Sequence, residues 1–330
     1  MAALDFLAVG DTTVDEFIFL KDARTSCDVN DENCTITMRW ADKIPYESAK
    51  LVPGVGNAAN AAVCAARLGL HSGFVSNIGT DRNGDDVLAQ FASEKVDATH
   101  VVRHEDIPTN HHYVLSYDSE RTILIRHEAY PYEFPPDLPA PKALYFSSIA
   151  AGTEAYHDAV AAWLEKNSEI TFAFQPGTFQ MDMGAERLAR IYGRTDIFIC
   201  NKEEYQRILK SKEEDPRKLM EAMRAVGPKL CFLSDGRAGA YALGESGAWK
   251  IGLYPEPGPP MERTGAGDAF SATVVVALLL GRDIPEALAW GPINSMSVVQ
   301  EIGAQRGLLT RAQLEEYLKN APADYRATPL

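Results

Sequence analysis

Positive charge is scarce in this chain of 330 residues: 32 Lys and Arg stand against 46 Asp and Glu, a formal net charge of −14. That balance argues against a nucleic-acid surface, which needs clustered Lys and Arg. It does not exclude a nucleotide, which backbone N–H groups and Mg²⁺ can hold without basic surface. Cysteine is sparse, with five residues and no C-x-x-C, which predicts free thiols in a reducing compartment. Cys64, Cys200 and Cys231 fall in apolar segments and are expected in the core, while Cys27 and Cys34 flank a polar loop. The longest apolar run, 272–280, is too short to span a bilayer. MAALDFLAVGD at the N-terminus has no basic region, apolar core or cleavage site, so no signal peptide is expected. No membrane partner is therefore expected, and the expected location is the cytoplasm. No G-x-x-x-x-G-K-[ST] string occurs, which rules out a classical P-loop.

What is present is an alternation. Compact apolar runs at 4–10, 73–76, 143–147, 170–174, 197–200 and 229–234 read as buried strands. Helical stretches at 57–68, 84–94, 154–166, 185–192 and a pair across 202–226 separate them, and Gly69 is placed to cap the first. This rhythm implies an α/β fold with a mainly parallel sheet covered on both faces. Two regions break it. Residues 14–53 hold β-rich pieces (16–20, 35–39, 48–52) around a polar loop at 22–33. Runs at 112–117 and 121–126 flank Asp118-Ser119-Glu120, a hairpin signal. Together they predict a small separate sheet over the main one. The Pro-rich stretch 131–141 reads as a stiff connector. From residue 265 on, the chain reads as helical: 267–280, 285–301 and 310–318.

The sharpest local signal is Thr264-Gly265-Ala266-Gly267-Asp268 before an apolar helix. Small residues at a helix start leave N–H groups bare, and the macrodipole adds positive charge, so phosphate is the natural ligand. Asp268 then reads as a base beside the anion, or as a helix cap. Ser234-Asp235-Gly236-Arg237-Ala238-Gly239 follows a strand and can let phosphates approach the backbone, or can be a plain hairpin turn. Asn201 and Glu204 share one helix face, suited to organising Mg²⁺ through water or to capping the helix. Gly54-Val55-Gly56-Asn57-Ala58-Ala59-Asn60 superficially matches the dinucleotide fingerprint, but no acidic residue ends the next strand. Asn57 and Asn60 instead offer donors and acceptors for sugar hydroxyls, and Asp11 and Asp15 add carboxylates beyond the first strand; either Asp could equally be a turn residue.

Taken in order, these segments resemble the ribokinase-like (PfkB) carbohydrate kinase family. The resemblance runs from Gly-x-x-x-x-Asp at 10–15, through the Gly-rich entry to Asn60, Asn-x-x-Glu at 201–204 and the Gly loop at 234–239, to Thr-Gly-Ala-Gly-Asp at 264–268. It implies a three-layer α/β/α sandwich with a β-sheet lid: one domain, 1–330, with the lid drawn from about 14–53 and 109–127. It also implies ATP-dependent phosphorylation of a hydroxyl on a sugar or sugar-like substrate, with Mg²⁺ as cofactor. By position, Asp11, Asp15, Gly56, Asn57 and Asn60 would serve the substrate. Asn201, Ser234, Gly236, Gly239, Thr264 and Asn294 would serve ATP, Glu204 the metal through water. Gly265, Ala266 and Gly267 would form the anion hole, with Asp268 as base. Family lids often pair between subunits, implying a homodimer.

Two departures stand out. The family usually has a Gly pair where this chain has Val55-Gly56. Many members carry Asp, associated with a monovalent cation, where this chain has Glu262, so K⁺ is an open question: Glu262 could ligate it or fill its place. In the hairpin, Arg126 could read a carboxylate or phosphate on the substrate, or be a solvated strand residue. The alternatives are a nucleoside kinase of the same family, a non-catalytic sugar or nucleotide sensor, and a dinucleotide-dependent oxidoreductase resting on the fingerprint alone.

Overall fold

The structure, a computed structural model, describes residues 3–21, 23–27, 34–117 and 120–330. Most of the polar loop expected at 22–33 and two residues of the hairpin turn, Asp118 and Ser119, lie outside the described residues. The short apolar runs of the sequence pair into one ten-stranded sheet. Strands Asp97–His104, Ser72–Gly79, Phe6–Val9, Ala143–Phe146, Thr171–Phe174, Ile197–Asn201 and Leu230–Ser234 lie side by side in that order, every pairing parallel. Ala240–Gly244, Gly247–Ile251 and Thr328–Pro329 extend it antiparallel.

Strand side chains alternate faces, and here the alternation divides two cores. Phe6, Ala8, Tyr145, Ala173, Ile199 and Phe232 meet helices Asn57–Arg67, Arg82–Ser93, Ala266–Leu279 and Ile284–Val298. Leu7, Val9, Leu144, Phe146, Phe172, Phe174, Phe198 and Leu233 meet Glu154–Lys166, Lys202–Leu209 and Pro216–Val226 on the other side. Both faces are therefore sealed, as a parallel sheet requires. Gly69, at φ 97°, follows the helix Asn57–Arg67 in the left-handed conformation expected of a C-terminal stop.

A second, four-stranded sheet is built from the regions that break the α/β rhythm: Tyr46–Val55, Thr13–Leu20, His111–Tyr117 and Glu120–Leu124. Register sorts its two faces. Asp15 pairs with Val52 and His112, and Phe17 with Lys50 and Val114; Phe17 and Val114 are fully buried, so this row faces the main domain. Glu16 pairs with Leu51 and Tyr113, and Tyr113 with Leu124, on the opposite face, where Leu51, Tyr113 and Leu124 are exposed.

Several expectations are corrected. The piece expected as a strand at 35–39 does not join this sheet: Thr35–Thr37 pairs with Arg24–Ser26 as a separate ribbon. Because Ser26 is opposite Thr35 in that ribbon, the next residues meet, and Cys27 and Cys34 form a disulfide with Cα atoms 4.0 Å apart. The reading of five free thiols therefore holds only for Cys64, Cys200 and Cys231, all buried. The hairpin Ala240–Ile251 and the edge strand Asp97–His104, neither strongly alternating, are additional strands. Among the described residues no helix is long and apolar enough to cross a membrane.

Candidate active site

Within the main sheet the next strand in sequence after Phe6–Val9 is its neighbour on one side, Ser72–Gly79, while its other neighbour, Ala143–Phe146, comes far later. Such a switch point opens a crevice beyond the carboxyl ends of parallel strands. Asp11, Ser147, Gln175, Asn201 and Ser234 all lie at those ends.

At one end of the crevice is a cavity of about 810 Å³, lined among others by Asn201, Ser234, Gly236, Gly239, Ala266 and Gly267. The helix Ala266–Leu279 starts here. Gly265 precedes it at φ 82°, and a Cβ on it would fall 2.4 Å from the Cβ of Ala304, so only glycine fits. Around Gly267 a Cβ would meet nothing within 4 Å, which leaves the helix N-terminus open to an anion. Residues 234–239 form a hairpin turn, with Ser234 and Ala240 paired across it, and Ser234, Gly236 and Gly239 line the cavity. Arg237 and Arg263 also line it, with an apolar wall of Leu253, Phe270 and Met296; of these only Arg237 lies within a sequence motif.

Asn201 and Glu204 form a reciprocal cap. The Glu204 N–H donates to Asn201 Oδ1 at 2.8 Å, and the Asn201 N–H donates to Glu204 Oε2 at 2.9 Å. Burial raises the Glu204 carboxyl above its usual range, and the charge of Asp268 adds to this. Asn294 does not reach the cavity. It is fully buried, donates to Thr273 Oγ1 at 2.8 Å and accepts from the Leu309 N–H at 2.9 Å. On its helix Pro292, Ser295 and Met296 face the cavity, with Val299 just beyond its end, and Asn294 lies off that stripe. Thr264 donates its N–H to Glu262 Oε1 at 2.7 Å, while its hydroxyl is buried without a partner.

Asp268, in the first helical turn, caps nothing. Asn60 Nδ2 donates to its Oδ2 at 2.8 Å and Gln175 Nε2 to its Oδ1 at 3.1 Å. Both amides are locked from behind. Gln305 Nε2 donates to Asn60 Oδ1 at 3.1 Å, and the Tyr145 hydroxyl donates to Gln175 Oε1. Burial pushes the Asp268 carboxyl up, and the two amide bonds pull it partly back. Gln175 had escaped sequence reading; the available signal was a polar residue ending a buried strand, the same signal that flags Asp11.

Beyond Asp268 lie the other carboxylates. Asp11 accepts from the Tyr132 hydroxyl at 2.8 Å and has His127 Nδ1 3.4 Å from its buried, unbonded Oδ2. Asp15 has His112 Nδ1 3.4 Å from its Oδ1, also buried and unbonded. Gly56, at φ 116°, passes so close that a Cβ would lie 2.9 Å from the Asp11 carbonyl oxygen. Val55, where the family usually has the first glycine of a pair, has its side chain buried and its carbonyl accepting from Thr12 Oγ1 at 3.0 Å. The strand before these glycines belongs to the second sheet, so the fingerprint lacks the strand–helix setting of a dinucleotide site. Arg126 is largely exposed and pairs with Glu128 at 2.8 Å. A neighbouring cavity of about 410 Å³ is lined by His127, Tyr130, Tyr132 and Phe179.

The crevice has an open helix N-terminus and a cavity at one end, Asp11, Asp15 and Asn60 at the other, and the Asp268 carboxylate bonded to Asn60 between them, an arrangement of the kind phosphoryl transfer needs; the class is a kinase on an open α/β sheet. Residues 43–311 match the family described as pfkB family carbohydrate kinase, and the chain belongs to that family. It is similar to 5-dehydro-2-deoxygluconokinase of Geobacillus thermodenitrificans, 22% identical over 296 residues covering 81% of this chain and 85% of that one. It is also similar to ribokinase of Haemophilus influenzae, 26% identical over 276 residues covering 81% and 87%. The solved structure of Arabidopsis thaliana ribokinase complexed with ribose and ATP matches with a TM-score of 0.79 at 20% identity, over 96% of this chain and 99% of that one. The fold is ribokinase-like.

Proposed function

We propose that this sugar kinase transfers the γ-phosphoryl group of ATP to an acceptor hydroxyl with Asp268 as general base. The observation that carries this is the placement of Asp268: in the first turn of the anion-binding helix, yet bonded through Asn60 to the acceptor side. The acceptor oxygen attacks the γ-phosphorus in line, its proton passes to Asp268, and the bond to the β-phosphate oxygen breaks to leave ADP. The raised pKa makes Asp268 a stronger base, and the two donated bonds keep it ionised. The N–H groups at 265–267, with Arg237 and Arg263, meet the phosphates. Asp11, Asp15 and Asn60 hold acceptor hydroxyls, with His112 and His127 beside them.

Mg²⁺ fits this site as a partner of phosphates and water rather than of a protein cage. Mg²⁺ sites of nucleotide enzymes need no more than one or two carboxylates beside the phosphates and waters. Glu204 keeps Oε1 free of the cap and would hold a metal-bound water. The ion, when bound, neutralises phosphate charge.

The second sheet supplies the lid: Asp15 and His112 are on its inner row, so closure brings acceptor-binding groups and excludes water together. Its outer face exposes Leu51, Tyr113 and Leu124, an apolar surface fit for pairing with the same face of a second copy; a sedimentation experiment in which L51E/L124E remains dimeric would oppose this. The aromatic cavity beside Asp11 gives a nucleobase a flat surface, so nucleosides belong among the acceptors. The buried thiols suit the expected cytoplasmic setting, and the Cys27–Cys34 bond does not. ADP release from the purified protein, screened against sugars, sugar acids, sugar phosphates and nucleosides, tests the proposal. A lack of ADP release with every acceptor of the panel would favour the sensor.

A further inference from the structure

Arg121 and Glu262 face each other where the lid meets the anion hole. Arg121 pairs with Ser116 and, through it, with Phe19, in register with the inward row of Phe17. Its Nε lies 3.4 Å from Oε1 of Glu262, which is 3% exposed. That same Oε1 accepts the Thr264 N–H at 2.7 Å, one residue before Gly265. Arg121 Nε and Glu262 Oε2 are both buried, and neither has a hydrogen-bond partner. An ion pair that leaves one buried polar atom on each side without a hydrogen bond is a half-made bidentate pair, since a guanidinium fork matches both oxygens of a carboxylate.

Glu262 occupies the position at which K⁺ was an open question, and the surroundings do not fit that ion. A fixed positive charge already stands against Oε1, and a second cation there would be repelled at short range in a poorly solvated place. We propose that Arg121 is the cation of this site. It is a positioning residue that latches the lid to the loop before the anion hole, completes its pair with Glu262 on closure, and makes the enzyme independent of added monovalent cations. The effect on turnover rests on the kinase reading; the effect on stability does not.

The test is thermal melting and turnover of the wild type, Arg121→Met and Arg121→Lys at constant ionic strength in potassium, sodium or tetramethylammonium chloride. The wild type should melt and turn over equally in all three salts. Arg121→Met should melt earlier, lose about tenfold to 10²-fold in kcat through a misplaced anion hole, and regain part of both with K⁺ or with guanidinium far below denaturing concentration. Arg121→Lys keeps the charge and should remain indifferent to the salt. If Arg121→Met does not fold, Arg121→Lys and the wild type decide the matter: stabilisation by K⁺ over tetramethylammonium in either overturns the proposal. So does an Arg121→Met protein that behaves like the wild type. A wild type without turnover on any acceptor would sink the kinase reading while the melting series still decides the latch.

Discussion

Replacing Asp268 with Asn separates a base from a structural carboxylate, and the surroundings set the expected size of each effect. Both carboxylate oxygens accept from side-chain amides, at 2.8 Å from Asn60 and 3.1 Å from Gln175. Neither amide can flip, because Gln305 and Tyr145 donate to their oxygens. The substituted side chain can therefore satisfy one donor and must turn its own NH₂ against the other, at about 1–3 kcal/mol. Against that, a charge disfavoured by burial has been removed, so the net change in stability is small and Tm should move by only a few degrees. Loss of the base costs about 10²–10⁴-fold in kcat, or about 3–5 kcal/mol of transition-state stabilisation. ATP affinity should hold or rise slightly, since a negative charge near the γ-phosphate has gone. The pH dependence has a definite sign. Burial raises Asp268 above its ordinary 3.8, so between those two values the native state keeps a proton the unfolded chain has released. Stability falls as pH rises through that window, and the Asp268→Asn variant lacks this slope. The wild-type rate falls as pH drops through the raised pKa, so its acid limb lies above the ordinary carboxylate range. Stopped-flow turnover and calorimetric melting across pH read both. A variant that melts early but retains most of its kcat would refute the assignment.

Asn60→Ala and Gln175→Leu each remove a donor that lowers the Asp268 pKa, so their kcat profiles should show the acid limb moved to higher pH; an unmoved limb would detach these amides from the base. Asp15→Ala should weaken acceptor binding by about 1–3 kcal/mol through an unpaired hydroxyl while calorimetry finds ATP affinity unchanged; equal losses would reassign it. Glu204→Gln preserves the helix cap, because Gln serves equally at that position, yet should raise the Mg²⁺ requirement about 10–100-fold; an unchanged magnesium titration would leave only the cap. Asn294→Ala should destabilise by about 1–3 kcal/mol without altering the Kd for ATP, and a large change in that Kd would restore a nucleotide role.

The layered fold was legible because a parallel sheet demands two sealed faces, and short apolar strands between amphipathic helices are its direct consequence. The second sheet was legible as the place where that rhythm failed. The open helix start at 265–267 was legible because bare N–H groups need small residues, and Gly265 admits no other. Other features depend on packing that local pattern does not carry. Gln175 is one polar residue after a four-residue strand, and only its neighbours show what it holds. Asn294 has the right chemistry for a nucleotide but the wrong helical phase, being turned toward Thr273 and Leu309. The Cys27–Cys34 bond depends on the pairing of two three-residue strands, each too short to announce itself. Arg121 and Glu262 meet only because one sheet is laid over the other.

The central claim is transfer from ATP to an acceptor hydroxyl, and following a label on the γ-phosphate tests it most directly. With an acceptor found in the ADP-release screen, the wild type should place the label in a phosphate ester of that acceptor in step with ADP, and Asp268→Asn should do so about 10²–10⁴-fold more slowly. Label appearing only as inorganic phosphate, or ester formation undiminished in Asp268→Asn, would contradict the account.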